Sequence, residues 1–167
     1  MTWEEDKRWA DRFMHEIKAI LGVHLFGEPP TEEDRLRNTD LITLSMNPFR
    51  VAARIRSQYY LSRYGGEFTI RFSRKYGNKT ELAKIVEGWG DYLFYGFGSD
   101  EGRLLAWHLC DLKVFRRWYS ERLYQGEHPG MEKSNGDGSS SFLAFRIDEL
   151  PAEFILAQSK SGSFSSR

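Results

Sequence analysis

Residues 3–21, WEEDKRWADRFMHEIKAIL, place Trp9, Phe13, Ile17, Ile20 and Leu21 at spacings of three and four, the period of an amphipathic helix. The acids Glu4, Glu5 and Asp6 suit its first turn, Thr2 its N-cap and Gly22 its end. Glu16 sits beside the apolar stripe, at the edge of whatever core that stripe joins. Gly27 and Pro29–Pro30 make 22–37 a connector, whose acids Glu32, Glu33 and Asp34 face solvent. From Thr39 the period shortens. DLITL alternates weakly, Asn47–Pro48 signals a turn, and RVAARIR then alternates cleanly, with Val51, Ala53 and Ile55 on one face and Arg50, Ala52, Arg54 and Arg56 on the other. Beyond Gly65–Gly66, EFTIRF puts Phe68, Ile70 and Phe72 opposite Glu67, Thr69 and Arg71. The three runs predict an antiparallel meander with one apolar face and one strongly basic face.

Thr80 caps a short helix, ELAKIVE, closed by Gly88. WGDYLFYGF and RLLAWHLCDL are apolar enough for buried strands, and VFRRWYSERLY reads as a helix. FLAFRI is a last strand, followed by a short helix from Asp148. The pattern predicts one α+β domain with a helix packed on a mixed sheet, in the order αβββαβ followed by β, α, β and α. Residues 1–125 form the expected core, 126–141 a Gly/Ser-rich flexible loop, 142–158 a closing strand and helix, and 159–167 an unstructured tail.

Charge changes this picture. The chain balances 24 basic residues against 24 acidic ones, yet Arg50–Lys79 holds eight cations (Arg50, Arg54, Arg56, Arg63, Arg71, Arg74, Lys75, Lys79) and one acid, Glu67, so it carries 8 − 1 = +7. Six aromatics, Tyr59, Tyr60, Tyr64, Phe68, Phe72 and Tyr76, lie among them. Guanidinium groups in such an array suit bidentate phosphate contacts, and Tyr59, Tyr60 and Tyr64 can stack on bases. DNA is the expected partner. The other reading pairs the arginines with the acids of 28–40 or 100–111, or sets acidic 28–40 of one subunit against 50–79 of another in a homodimer.

Other chemistry is weakly represented. Cys110 has no second cysteine to pair with, which points to a reducing compartment. No 18-residue apolar run exists and MTWEEDKRW is too charged for a signal peptide, so a cytoplasmic protein without a membrane span is expected. Gly77-Asn78-Lys79-Thr80 lacks the first glycine of a phosphate-binding loop, since Phe72 stands there. His15, His24, His108 and His128 form no i, i+4 pair, and His108 reads as a core residue. Three carboxylates remain. Asp40 and Glu67 each start a strand and Glu16 lies near a helix–sheet contact; converging at one sheet edge, they would hold Mg²⁺ beside Arg54, Arg56 and Arg71.

The order αβββαβ, an acid at a strand start, and KTELAKIVEGWGDYLFYGF resemble the PD-(D/E)XK, or restriction-endonuclease-like, proteins, in which a helix precedes a strand opening on "ADY". RNTDLITL, ARIR, EFTIR and EGWGDYLFYGF are similar to stretches of small bacteriophage and prophage proteins, over roughly residues 1–118. The resemblance implies a DNA nuclease with Asp40 and Glu67, joined by Glu16, as Mg²⁺-binding catalytic residues. The sequence departs from that pattern: where the family places E-x-K or D-x-K, this chain has Arg54-Ile55-Arg56, and Glu67 is followed two residues on by Thr69. Asp111-Leu112-Lys113 matches only literally, at the end of a later strand. The alternative expectation is a non-catalytic interaction protein, an inhibitor or accessory factor that sets its basic face on a host protein.

Overall fold

The N-terminal apolar stripe folds as two helices rather than one, α1 (Trp3–Asp11) and α2 (Met14–Leu25). Between them the Arg12 and Phe13 N–H groups reach back three residues, to the carbonyls of Trp9 (3.3 Å) and Ala10 (3.1 Å), and tighten the chain out of the α-helical spiral. No glycine or proline marks that break. Phe13 and Ile17 are buried, and Trp9 packs edge-on against Phe13 at 5.1 Å. Helix α2 runs past Gly22, the expected end. It leads into β1 (Phe26–Gly27), which pairs antiparallel with β2 (Ile42–Thr43).

The computed structural model describes residues 3–27, 42–43, 49–75, 79–136 and 138–159. Contacts divide the chain into two compact units, Met1–Phe49 and Arg50–Arg167. The second unit is α+β, as the pattern predicts, but its strands form two sheets instead of one. A mixed sheet runs β3 (Val51–Ser57), β5 (Tyr92–Gly98), β6 (Leu104–Asp111), β9 (Ile155–Gln158). An antiparallel sheet runs β4 (Glu67–Arg74), β8 (Ser140–Arg146), β7 (Met131–Ser134).

The expected meander is therefore not formed. β3 pairs parallel with β5, and β4 leaves for the other sheet to pair with β8. A parallel partner requires a long crossover, and everything between Gln58 and Asp91 supplies it: a 3₁₀ turn (Gln58–Tyr60), α3 (Leu61–Tyr64), β4 itself and α4 (Glu81–Val86). Helix α4 begins and ends as its sequence indicates. Thr80 Oγ1 accepts from the Ala83 N–H at 3.3 Å, and Gly88 takes φ +97° just past the end.

The core lies between the sheets, under α4 and α5 (Leu112–Tyr124). Phe68 is its centre, with Tyr95, Phe115, Phe145 and Phe154 at ring-centroid distances of 5.1 to 5.9 Å. Phe72 was expected beside Phe68 and Ile70, yet it is 40% exposed. A register shift between Arg71 and Ser73 explains this: the bulge adds a residue and turns Phe72 out of the apolar row.

Two C-terminal expectations are also corrected. Residues 126–141, read as a flexible loop, contain β7, which borders β8 over Met131↔Ala144 to Ser134↔Ser141. The short helix expected from Asp148 is two 3₁₀ turns, Ile147–Glu149 and Ala152–Phe154, separated by Pro151 and followed by β9. Proline removes an N–H and holds the preceding residue extended, so one continuous helix cannot cross it.

Candidate nucleic-acid interface

β3 is an edge strand, and its arginines lie on the side of the sheet opposite to expectation. In register Ala52 partners Leu93, Arg54 partners Tyr95 and Arg56 partners Phe97, and residues so paired share a face. Leu93, Tyr95 and Phe97 belong to the core. The arginine row thus extends the inner face sideways, past the packed aromatics, to the open border of the sheet. Arg54 and Arg56 are half-buried there, as are Val51 and Ile55 on the other face.

Two polar contacts seal this border. Glu81, at the first turn of α4, accepts from the Arg54 guanidinium and from the backbone N–H of Arg71 (3.1 Å), so one carboxylate ties β3 to the edge of β4. Arg56 donates to Thr69 Oγ1 at 3.4 Å, and that hydroxyl pairs with the Tyr95 hydroxyl at 3.1 Å. The Arg54 guanidinium and the Arg71 backbone N–H thus meet at an acid from the following helix, while Arg56 bonds to Thr69 instead.

Three guanidinium groups instead lie over aromatic rings: Arg50 over Trp89 (5.9 Å), Arg56 over Tyr60 (5.0 Å) and Arg63 over Tyr64 (5.2 Å). A stacked guanidinium keeps its in-plane N–H donors for an anion. The guanidinium groups of Arg50, Arg56, Arg63 and Arg74 have no carboxylate partner among the described residues, although the Arg50 backbone N–H donates to Asp91 Oδ2 at 2.8 Å; the Lys79 ammonium does, holding Glu87 at 2.7 Å. Lys75 is exposed, and its backbone N–H joins the Ser139 carbonyl at 3.0 Å. Glu81 and Glu87 thus each offset one cation of the segment.

The aromatics are open to solvent. Tyr59 is 74% exposed, Trp89 60% and Tyr60 44%. Gly88 and Gly90, both at positive φ (+97° and +78°), make the sharp turn that carries Trp89 outward. Tyr59 is held despite its exposure: its hydroxyl donates to Asp100 Oδ2 at 3.0 Å, and the Gln58 side-chain amide donates to the same oxygen at 3.0 Å.

The chain matches no family model, no curated protein and no solved structure. Its own geometry is what bears on function.

The three candidate acids fare differently. Asp40 lies outside the described residues. Glu16 is on α2, in the first unit. Glu67 is half-buried and salt-bridged at 2.8 Å to Lys133 of β7, whose ammonium also lies 4.9 Å from the Tyr64 ring. Asp111 is a helix cap: its Oδ1 accepts from the N–H groups of Lys113 (2.7 Å) and Val114 (3.3 Å) at the start of α5. Among the described residues no three His, Cys, Asp or Glu side chains converge on one point.

His15 and His128 are exposed. His108 bonds the Gln158 side chain and leaves Nδ1 buried without a partner; burial lowers its pKa below 6.5, and the bond to Gln158 opposes that shift. It lines a cleft of about 1130 Å³ with Arg63, Glu67 and Arg146. Burial pushes the Cys110 thiol pKa up, away from nucleophilic use. No described helix is long and apolar enough to cross a membrane.

Glu81, Trp89, Asp100 and Lys133 are the residues that sequence reasoning missed. Trp89 had a signal, a large apolar residue between two turn glycines. Glu81 looked like an ordinary first-turn acid, and its contacts depend on strands ten and 27 residues away.

Proposed function

We propose that this protein binds nucleic acid through the border formed by β3, the Gln58–Tyr60 turn and the Trp89 turn. The observation that supports it is the set of three guanidinium groups that lie over aromatic rings and have no carboxylate partner among the described residues. Such a surface offers fixed donors to phosphate and open rings to bases, whereas a purely structural arginine row would be neutralised by acids. Fluorescence anisotropy with a labelled oligonucleotide at low salt tests it. Binding is expected, with the Arg50→Ala/Arg56→Ala variant weaker by at least about tenfold. Absence of binding at low salt overturns the reading and favours the interaction-protein alternative, in which the same border meets a host protein.

A second reading, metal-dependent DNA cleavage, has one observation in its favour. Lys133 brings an ammonium to the Glu67 carboxylate, supplying from β7 the acid–lysine pair that the E-x-K pattern places on one strand. Incubating the same protein with plasmid and Mg²⁺ or Mn²⁺ addresses it. Cutting lost in both Glu67→Ala and Lys133→Ala would support this reading, and intact plasmid would remove it.

A further inference from the structure

Resting on the nucleic-acid reading, we infer that the ligand is single-stranded, and that Tyr59 is a preformed platform for an unpaired base, positioned by Asp100. Duplex DNA presents phosphates to a protein surface but keeps its base faces stacked inside. A site for duplex needs cations and has little use for exposed rings. Here the border carries three rings at 44% to 74% exposure, Tyr59, Tyr60 and Trp89. Exposed aromatic area is unfavourable in water, and stacking on bases is the gain that single-strand sites draw from it.

Tyr59 adds geometry to exposure. A ring open on the surface normally samples several rotamers, and ordering it on binding costs free energy. The Asp100 carboxylate fixes this ring in advance by accepting its hydroxyl, and the Gln58 amide holds the same carboxylate oxygen. Asp100 itself cannot help bind a phosphate, because its charge repels one. On the neighbouring Tyr60, Arg56 covers one ring face at 5.0 Å, so a phosphate donor stands one residue from the platform.

β3 joins the two ends of this border. It spans seven residues from Val51 to Ser57, about 20 Å of extended chain. Arg50 and Trp89 stand at its start, and the Gln58–Tyr60 turn follows its end. A single strand lying along it would meet a stacking residue and an arginine at each end, Arg50 by Trp89 and Arg56 by Tyr60.

The test uses the full-length protein and three labelled 20-mers of equal charge per phosphate: oligo-dT, a fully abasic strand and a hairpin duplex. Oligo-dT is expected to bind at least about fivefold tighter than the abasic strand, the low end of one base–aromatic stack. Tyr59→Ala should remove most of that difference. Asp100 gives a test of sign. If only charge mattered, Asp100→Ala would tighten binding by deleting a negative group; the platform predicts weaker oligo-dT binding. Asp100→Asn, which keeps an acceptor without the charge, should bind at least as well as the native protein. Circular dichroism of each variant checks that it is folded. Equal affinity for oligo-dT and abasic strands, preference for the duplex, or tighter oligo-dT binding by Asp100→Ala each overturns the inference while the nucleic-acid reading stands. Failure to bind any of the three overturns that reading itself.

Discussion

Glu81 shows how one carboxylate can hold two strands that share no backbone pairing. Its acceptor oxygen serves both the Arg54 guanidinium and the Arg71 N–H, and both partners sit at a half-buried border where water replaces a lost bond poorly. Glu81→Ala leaves a guanidinium and a strand-edge N–H without an acceptor. The expected cost is about 1–3 kcal/mol, read as a lower urea midpoint at unchanged slope. Glu81→Gln keeps a neutral acceptor for the N–H and should lose less. Equal stability of all three proteins would show that Glu81 is a bystander.

Individual elements were more legible in the sequence than their partners. The alternation in RVAARIR located β3, Thr80 and Gly88 bounded α4, and the apolar runs located β5 and β6. Which strand lies beside which depends on contacts far apart along the chain, and local period is silent about those. A parallel β3–β5 pair and a β4–β8 pair 66 or more residues apart left no local trace. The face of β3 was misassigned for a related reason: at a sheet edge, long cationic side chains can extend a core face and keep their heads in water. The Asp111-Leu112-Lys113 motif shows the same limit, since its carboxylate caps α5. Asp111→Ala should cost about 1 kcal/mol of stability by urea denaturation, the usual value of an N-cap, and leave nucleic-acid binding unaltered. Loss of binding in a folded Asp111→Ala protein would place that acid in the site after all.

For the whole molecule, neutrality and polarity coexist: 24 cations balance 24 acids, yet the guanidinium groups of four arginines in one segment lack carboxylate partners among the described residues. This sets how binding should respond to salt. Each phosphate neutralised on a single strand releases condensed counterions, and the logarithm of affinity falls by about 0.7 per contact for each decade of salt. Arg50, Arg56, Arg63 and Arg74 together then give a slope of about −3. A chain that bound through its total charge would show almost none. Removing any one of the four should flatten the slope by about 0.7. Lys79→Ala should leave it unchanged, because that ammonium already faces Glu87. A slope near zero, or one that Lys79→Ala flattens as much as Arg56→Ala does, would mean that carboxylate pairing does not decide which cations of this segment meet the ligand.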